Sequence, residues 1–371
     1  DAHMLKYLNG AENVKAEPNE NYARELLELF TVGKGPLIGP GDYTNYTEQD
    51  VQQGAKILTG WRVKGRNSTD PNQPLEVLFD PAKHSPGSKT LDYHFNQTTI
   101  NENGADEYKD FIDVIFQQSA VAHFIVTKIY RFFVYYDITP VVEQNIIQPL
   151  AQLLIDSDYE IKPVLETLFK SEHFFDGPTR GCLIKHPIDF IESLFKQLNW
   201  QQPTDLADKY ILNKKIANFQ ISLGMQYFKP PSVAGWKAYY QAPTFHRIWV
   251  NPTTYQKRNA VKDIFIGNGI KIGANRYKVD LISIVQLTSS PSDPVMLIDE
   301  LTKLFLPLPV NDSLKQFLKT VLIPGLPDFE WTMEYDNYLA NPTDDNIKMS
   351  LESKIRNLLK AILELPEFQL S

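Results

Sequence analysis

The chain has 371 residues, with 45 acidic and 37 basic side chains and a formal charge of −8. Hydrophobic residues make up 43% and charged residues 22%, the balance of an ordinary globular protein, which excludes a disordered polyelectrolyte or a collagen-like repeat. A chain this acidic has no surplus cations to displace counterions from phosphates, so nucleic acid is not an expected partner. The single cysteine, Cys182, rules out an intramolecular disulfide and reads as a small apolar filler, not a nucleophile.

No stretch approaches the ~20 uncharged apolar residues of a membrane span. The best candidate, Val121 to Tyr136, is interrupted by His123, Lys128 and Arg131. The first methionine is Met4, which reads as a processed or truncated start and leaves export open.

In chain order, the spacing predicts an amphipathic helix from Asn19 to Thr31, with Asn19 as its N-cap. Tyr22, Ala23, Leu26, Leu27, Leu29 and Phe30 form one arc, charged residues the other, and Gly33 and Gly35 end the helix. A second helix is predicted after Thr47, which with Asp50 forms a variant capping box, and it runs to Gly60. Trp61-Arg62-Val63 and Glu76-Val77-Leu78-Phe79 read as a β-hairpin around the turn formers Gly65 to Pro71. Helical periodicity resumes over 105–118, 120–136, 141–157, 161–170 and 187–199. After a polar break at Asn199–Pro203 come helices near 206–223, 252–266, 294–304, 312–321 and 345–364, the first two separated by a loop rich in prolines and aromatics. No fixed-period repeat appears. The expectation is a mainly α, multi-helical body with one small β-hairpin. It is divided as a helical core over 1–200, with the hairpin inserted near 61–80, and a C-terminal helical portion over 201–371 packed against it, or it is one continuous domain.

Four constellations could carry function. Glu20, Arg24 and Glu28 fall at i, i+4, i+8 with Glu25 one step round, as an acid/base element or, more simply, as a salt-bridge ladder. Lys128 and Arg131 lie in a helix apolar almost all round, so they either take carboxylate partners from the first helix or snorkel to the surface. His84, Lys89 and His94 follow the hairpin in a polar loop, a common place for chemistry, although no zinc signature is completed there. Trp236, behind two prolines and Gly235, and Trp249 could stack on sugar rings or grip a peptide, or could be pinned into the core. The sequence has no Gly-x-Ser-x-Gly elbow, phosphate-binding loop, dinucleotide fingerprint or His-Glu-x-x-His. Sequons at Asn45, Asn67, Asn96 and Asn311 matter only in a eukaryotic secretory setting.

The stretch Asn19-Glu20-Asn21-Tyr22-Ala23-Arg24-Glu25-Leu26-Leu27 through Thr31, followed by Leu58-Thr59-Gly60-Trp61, resembles the bacterial family catalogued as domain of unknown function 1800. The likeness continues through His84 and Lys89, Ala122–Phe133, Lys185-His186-Pro187, Pro230–Trp236 and the closing Leu365–Leu370. Ser85 stands where an aspartate is expected after the loop histidine, and an N-terminal helical portion common in the family is expected to be missing. The family has no established activity. The resemblance implies an exported, periplasmic or extracellular protein of the cell envelope, by association only.

Two readings follow from the sequence. The first is a non-catalytic helical protein binding an envelope partner protein or a glycan, with Trp61, Lys128, Arg131, Trp236 and Trp249 as binding candidates. The second is a hydrolase of envelope or extracellular polymers, using Arg24, Glu25, Glu28, His84 and Lys89 in one cleft. Neither assigns a metal ligand, and the sequence leaves any cofactor unknown.

Overall fold

The computed structural model describes every residue except Arg66, Asn67 and Pro71, so the Asn67 sequon and the middle of the predicted turn-rich loop lie outside the described residues. The chain divides into two compact units, Asp1–Phe174 and Phe175–Ser371. The polar break at Asn199–Pro203 lies inside the second unit, between two of its helices.

Unit 1 opens with α1 (Ala2–Tyr7) and α2 (Asn21–Glu25). The helix predicted over 19–31 begins two residues later than expected, with the Asn19 side chain accepting from the Asn21 amide at 3.0 Å. It then widens into a π-helical turn over Leu26–Phe30. The wider turn shifts every following side chain around the axis. Ala23 and Leu27 stay fully buried while Phe30, placed on the apolar arc by a regular wheel, is exposed. Gly33 ends the turn in the left-handed region (φ 74°), and a Cβ there would stand 2.6 Å from the Phe124 ring, so only glycine fits.

A short pair, β1 (Leu37–Gly39) and β2 (Asp42–Tyr43), leads to α3 (Glu48–Ile57). The Thr47–Asp50 capping box forms as predicted, and Asp50 also receives the Asp92 amide at 2.7 Å. The hairpin forms too: β3 (Trp61–Lys64) pairs antiparallel with β4 (Glu76–Phe79), placing Trp61 opposite Phe79 and Val63 opposite Val77. A further pair, β5 (Lys89–Thr90) with β6 (Thr99–Ile100), precedes α4 (Glu107–Phe116) and α5 (Ser119–Phe133). The helix predicted over 141–157 is α6 (Pro140–Val142), a π-turn at Glu143–Ile147 and α7 (Gln148–Asp156). α8 (Ile161–Lys170) closes the unit, and α7 packs on both α5 and α8.

Unit 2 contains α9 (Pro187–Gln197), α10 (Leu206–Ser222) and α11 (Pro252–Ile266), then the hairpin β7 (Ile270–Ile272) and β8 (Asn275–Tyr277). It continues with α12 (Leu281–Val285), α13 (Pro294–Phe305), α14 (Asp312–Leu322), α15 (Asp328–Ala340) and α16 (Asp345–Glu364). The last of these is the unit's axis: Leu351, Ile355, Leu358, Leu359, Ile362 and Leu363 are fully buried, and α11, α12, α14 and α15 pack against it. Beyond it the chain returns to the start of the unit. Ile184 bridges Leu370, the Lys185 amide donates to Gln369 O at 2.8 Å, and the Ser371 amide donates to Leu183 O at 2.8 Å.

The protein is mainly α, as the periodicity indicates. The described residues contain four two-stranded antiparallel sheets in place of one hairpin. The three unforeseen pairs have strands of two or three residues, too short to show an alternating pattern. No helix of the described residues is long and apolar enough to cross a membrane.

Because Thr47 caps α3 from a buried position, Thr47→Ala is expected to destabilise unit 1 by about 1–2 kcal/mol. Hydrogen exchange of the α3 amides should accelerate accordingly, with the α16 amides unchanged; unaltered α3 exchange would contradict the capping role.

Candidate functional site

Three charged side chains meet inside unit 1. Glu107 has no exposed surface, Lys89 is 1% exposed and His84 6%. Lys89 Nζ donates to Glu107 Oε2 at 2.6 Å and to Ser85 O at 2.7 Å. His84 Nε2 lies 2.9 Å from Glu107 Oε1, and its Nδ1 faces the Thr59 carbonyl at 3.0 Å, which can only accept. The Asn103 amide also donates to Glu107 Oε1, at 3.2 Å. Burial pushes the Glu107 carboxyl up, but the hydrogen bonds from Lys89, His84 and Asn103 outweigh it and hold the group below its ordinary value.

The triad supports an aromatic surface. His84 packs on Phe79 (5.2 Å between ring centres), Phe79 on Trp61 (5.2 Å) and Trp61 edge-on to Tyr108 (5.6 Å). Trp61 and Tyr108 wall a cleft of about 350 Å³, completed by Tyr22, Leu26, Leu58 and Phe111. Exposed Val77 and Ile112 line it as well. A cleft so lined accepts apolar groups and offers few hydrogen bonds.

The remaining first-helix candidates stand apart from this site. Arg24 pairs with Glu20 at 2.9 Å and, through two nitrogens, with Glu48 of α3 at 2.6 and 2.7 Å. Its hydrogen bonds with Glu48 hold the guanidinium charge above its ordinary value. Glu28 does not extend the ladder, because the π-turn rotates it away; it accepts from Tyr46 Oη at 3.0 Å and pairs with Lys34 at 3.5 Å. Glu25 has no partner among the described residues, and burial followed by the Glu28 charge pushes its carboxyl up. Lys128, read as either pairing with a first-helix carboxylate or snorkelling to the surface, is exposed, donates to the Leu29 carbonyl at 2.6 Å and lies 4.4 Å over the Phe124 ring. Arg131 is pushed down by burial, against the pull of Asp137. The five hydrolase candidates thus fall into separate groups: Arg24 with Glu20 and Glu48, Glu28 with Tyr46 and Lys34, Glu25 alone, and His84 with Lys89 under the surface. Among the described residues no set of three His, Cys, Asp or Glu side chains is arranged to hold a metal ion.

The family described as protein of unknown function DUF1800 matches residues 1–370. The chain belongs to that family. Neither the curated proteins nor the solved structures contain a match to it. The DUF1800 landmarks noted in the sequence now have physical roles. Thr59 receives the His84 ring, Trp61 walls the cleft, and His84 and Lys89 share Glu107.

The later landmarks of this DUF1800 chain belong to unit 2. Trp249 is 6% exposed and packs with half-buried Trp236 (5.9 Å) in a small core containing Met225 and Ala238. The proline- and glycine-shaped turn therefore pins these rings inward, and the exposed aromatics of the loop are Tyr227, Phe228 and Tyr240. Lys185 and Arg258 are buried cations held by carbonyls: Lys185 Nζ donates to Phe368 O at 3.0 Å, and Arg258 Nη2 to Lys185 O at 2.6 Å. Each also faces an aromatic ring, Phe368 and Phe190 respectively. Burial pushes Lys185 down to about 8 and Arg258 to about 10.

The sequence reading missed Glu107, Tyr22 and Tyr108. For Glu107 a signal exists, since it shares the spacing of buried Phe111, Val114 and Ile115 and so falls on the apolar face of α4.

Glu107→Gln should cost unit 1 about 3–5 kcal/mol, by leaving Lys89 buried without its carboxylate. The native carboxylate binds its proton less readily folded than unfolded, so its contribution is complete above the ordinary value of 4.5 and fades as pH falls through the lower folded value. Urea midpoints of the wild type should fall across that window, and those of Glu107→Gln should fall less; parallel curves would refute the assignment. For Lys185 the folded chain releases a proton that the unfolded chain keeps, so stability should rise between pH 8 and 10.5. Wild-type stability relative to that of Lys185→Met should rise across that range by on the order of 3 kcal/mol. A flat difference would show that Lys185 is not desolvated.

Proposed function

We propose that this chain is a binding protein of the cell envelope whose unit 1 holds an apolar side chain of a partner protein in the cleft beside Trp61. The observation that carries the reading is the cleft itself. Its aromatic walls stand on a buried charged triad, so they are rigid before any ligand arrives, and little ordering entropy is lost on binding. Val77 and Ile112 extend its apolar lining onto exposed surface. Exposed apolar surface continuous with a pocket is characteristic of sites that take a protein partner. The triad is read as a brace because His84 and Lys89 are closed off by their own partners. Placement in the envelope, after export, rests on the family resemblance alone.

Trp61 is the expected hot spot. A photo-reactive residue at Ile112, used in cells that carry the full chain, should give a protein adduct. In the same background Trp61→Ala should lower the adduct yield at limiting concentration by about 30-fold, as loss of a central tryptophan costs roughly 2 kcal/mol. An adduct yield indifferent to Trp61→Ala, with the fold intact by circular dichroism, would dispose of the reading.

A further inference from the structure

A second cleft in unit 1, of about 640 Å³, lies between the loop 32–36, the start of α5 and one face of α7. Its chemistry differs from that of the Trp61 cleft. It is lined by Asn45, Gln148 and Gln152, by the hydroxyls of Ser119 and Thr127, and by the ring of Phe124, with no carboxylate side chain in its walls.

The hydrogen-bond accounting limits what can bind. The amide nitrogen of Asn45 is spent on Val32 O and Gly33 O, at 3.0 and 3.1 Å. Gln148 Nε2 donates to Glu143 Oε1 at 3.4 Å, and Gln152 Nε2 to Asp156 Oδ1 at 2.8 Å. These partners are all oxygens, so the orientation of each amide is fixed. The three amide oxygens remain as acceptors with no protein donor among the described residues. Thr127 Oγ1 is buried and has no partner, although a helical threonine can turn its hydroxyl back to the preceding carbonyls. α5 begins without a side-chain cap, so its first amides add donors at the same wall.

The basic side chains of the cleft already have partners. Lys34 pairs with Glu28 at 3.5 Å and lies 4.6 Å over Tyr43, while His123 pairs with Glu143 at 2.9 Å. An anion finds no unpaired lysine or arginine in the lining, and an ammonium finds no carboxylate there. What fits is neutral and rich in hydroxyls, with an apolar face for the Phe124 side. We infer that this cleft is a binding site for a neutral oligosaccharide. The volume lies within the range of small-ligand sites and accommodates more than one sugar ring. The inference does not depend on the partner proposed for the Trp61 cleft.

The test is titration of the full chain with neutral maltotriose and chitotriose, with a trimer of galacturonate and with inorganic phosphate, followed by calorimetry and by the side-chain amide resonances of Asn45, Gln148 and Gln152. At least one neutral trimer should bind and shift those resonances. Gln148→Leu, Gln152→Leu and Thr127→Val should each weaken it by about tenfold, equivalent to ~1.4 kcal/mol. Lys162→Ala, on the exposed side of α8, should leave it unchanged. Three results would overturn the inference: no neutral trimer binding at concentrations up to about 10 mM, preferential binding of galacturonate or phosphate, or sugar binding that shifts none of the three amides. The wild-type titration is decisive even if a variant fails to fold.

Discussion

The Glu107 carboxylate, with no surface in contact with water, is divided between an ammonium on one oxygen and an imidazole on the other. Such a group is tolerated inside a protein only when every lone pair it presents is matched. Each of its partners therefore fixes a different part of the chain. Lys89 fixes β5, His84 fixes the approach to it and reaches back to Thr59 at the end of α3, and Glu107 itself begins α4. Thr59 is tied in again, since its hydroxyl donates to Lys56 O and accepts from the Ser85 amide. Moving any of these elements would strand a charge. Trp61 owes its position to this lock, because its ring leans on Phe79 and Phe79 leans on His84.

Long periodic segments were legible, and so was much of their punctuation. α8, α11 and α16 occupy the residues that their spacing indicated, and the Thr47 cap and the Trp61–Phe79 hairpin formed as read. The failures have a common origin in tertiary demands on the backbone. The π-turns at Leu26–Phe30 and Glu143–Ile147 insert a residue that a 3.6-residue wheel cannot represent, and the first of them separates Glu28 from the Glu20–Arg24 pair. α15 escaped notice because its apolar and polar residues do not segregate, with Phe329, Met333 and Leu339 exposed while Trp331 is buried. Sites were less legible still. Arg24, His84 and Lys89 were singled out, but His84 and Lys89 were read as residues of a polar loop and are buried; the partners Glu48 and Glu107 lie 24 residues from Arg24 and 18 from Lys89, and nothing in spacing connects them.

Buried charge is handled in two ways in this chain. At the centre of unit 1, Lys89 meets the Glu107 carboxylate in a closed arrangement. In unit 2 Lys185 and Arg258 meet backbone carbonyls and aromatic faces, partners that stabilise a cation without a full opposing charge. The second solution leaves desolvation only partly compensated, which is why both groups are pushed down. Its gain is positional. The same two side chains fasten Phe368 and Gln369 beside residues 183–185, with Arg258 Nη1 reaching Gln369 Oε1 at 3.1 Å.

That fastening sets the order in which the molecule can be completed during synthesis. Unit 1 is a compact unit of the first 174 residues, and its own core can gather while the ribosome is still translating the remainder. Unit 2 cannot close in this way, because the strand-like pairing at its entrance waits for residues 368–371, almost 190 positions downstream. Until they emerge, the pairing at residues 183–185 is unmade, and Lys185 and Arg258 lack the oxygens that Phe368 and Gln369 supply.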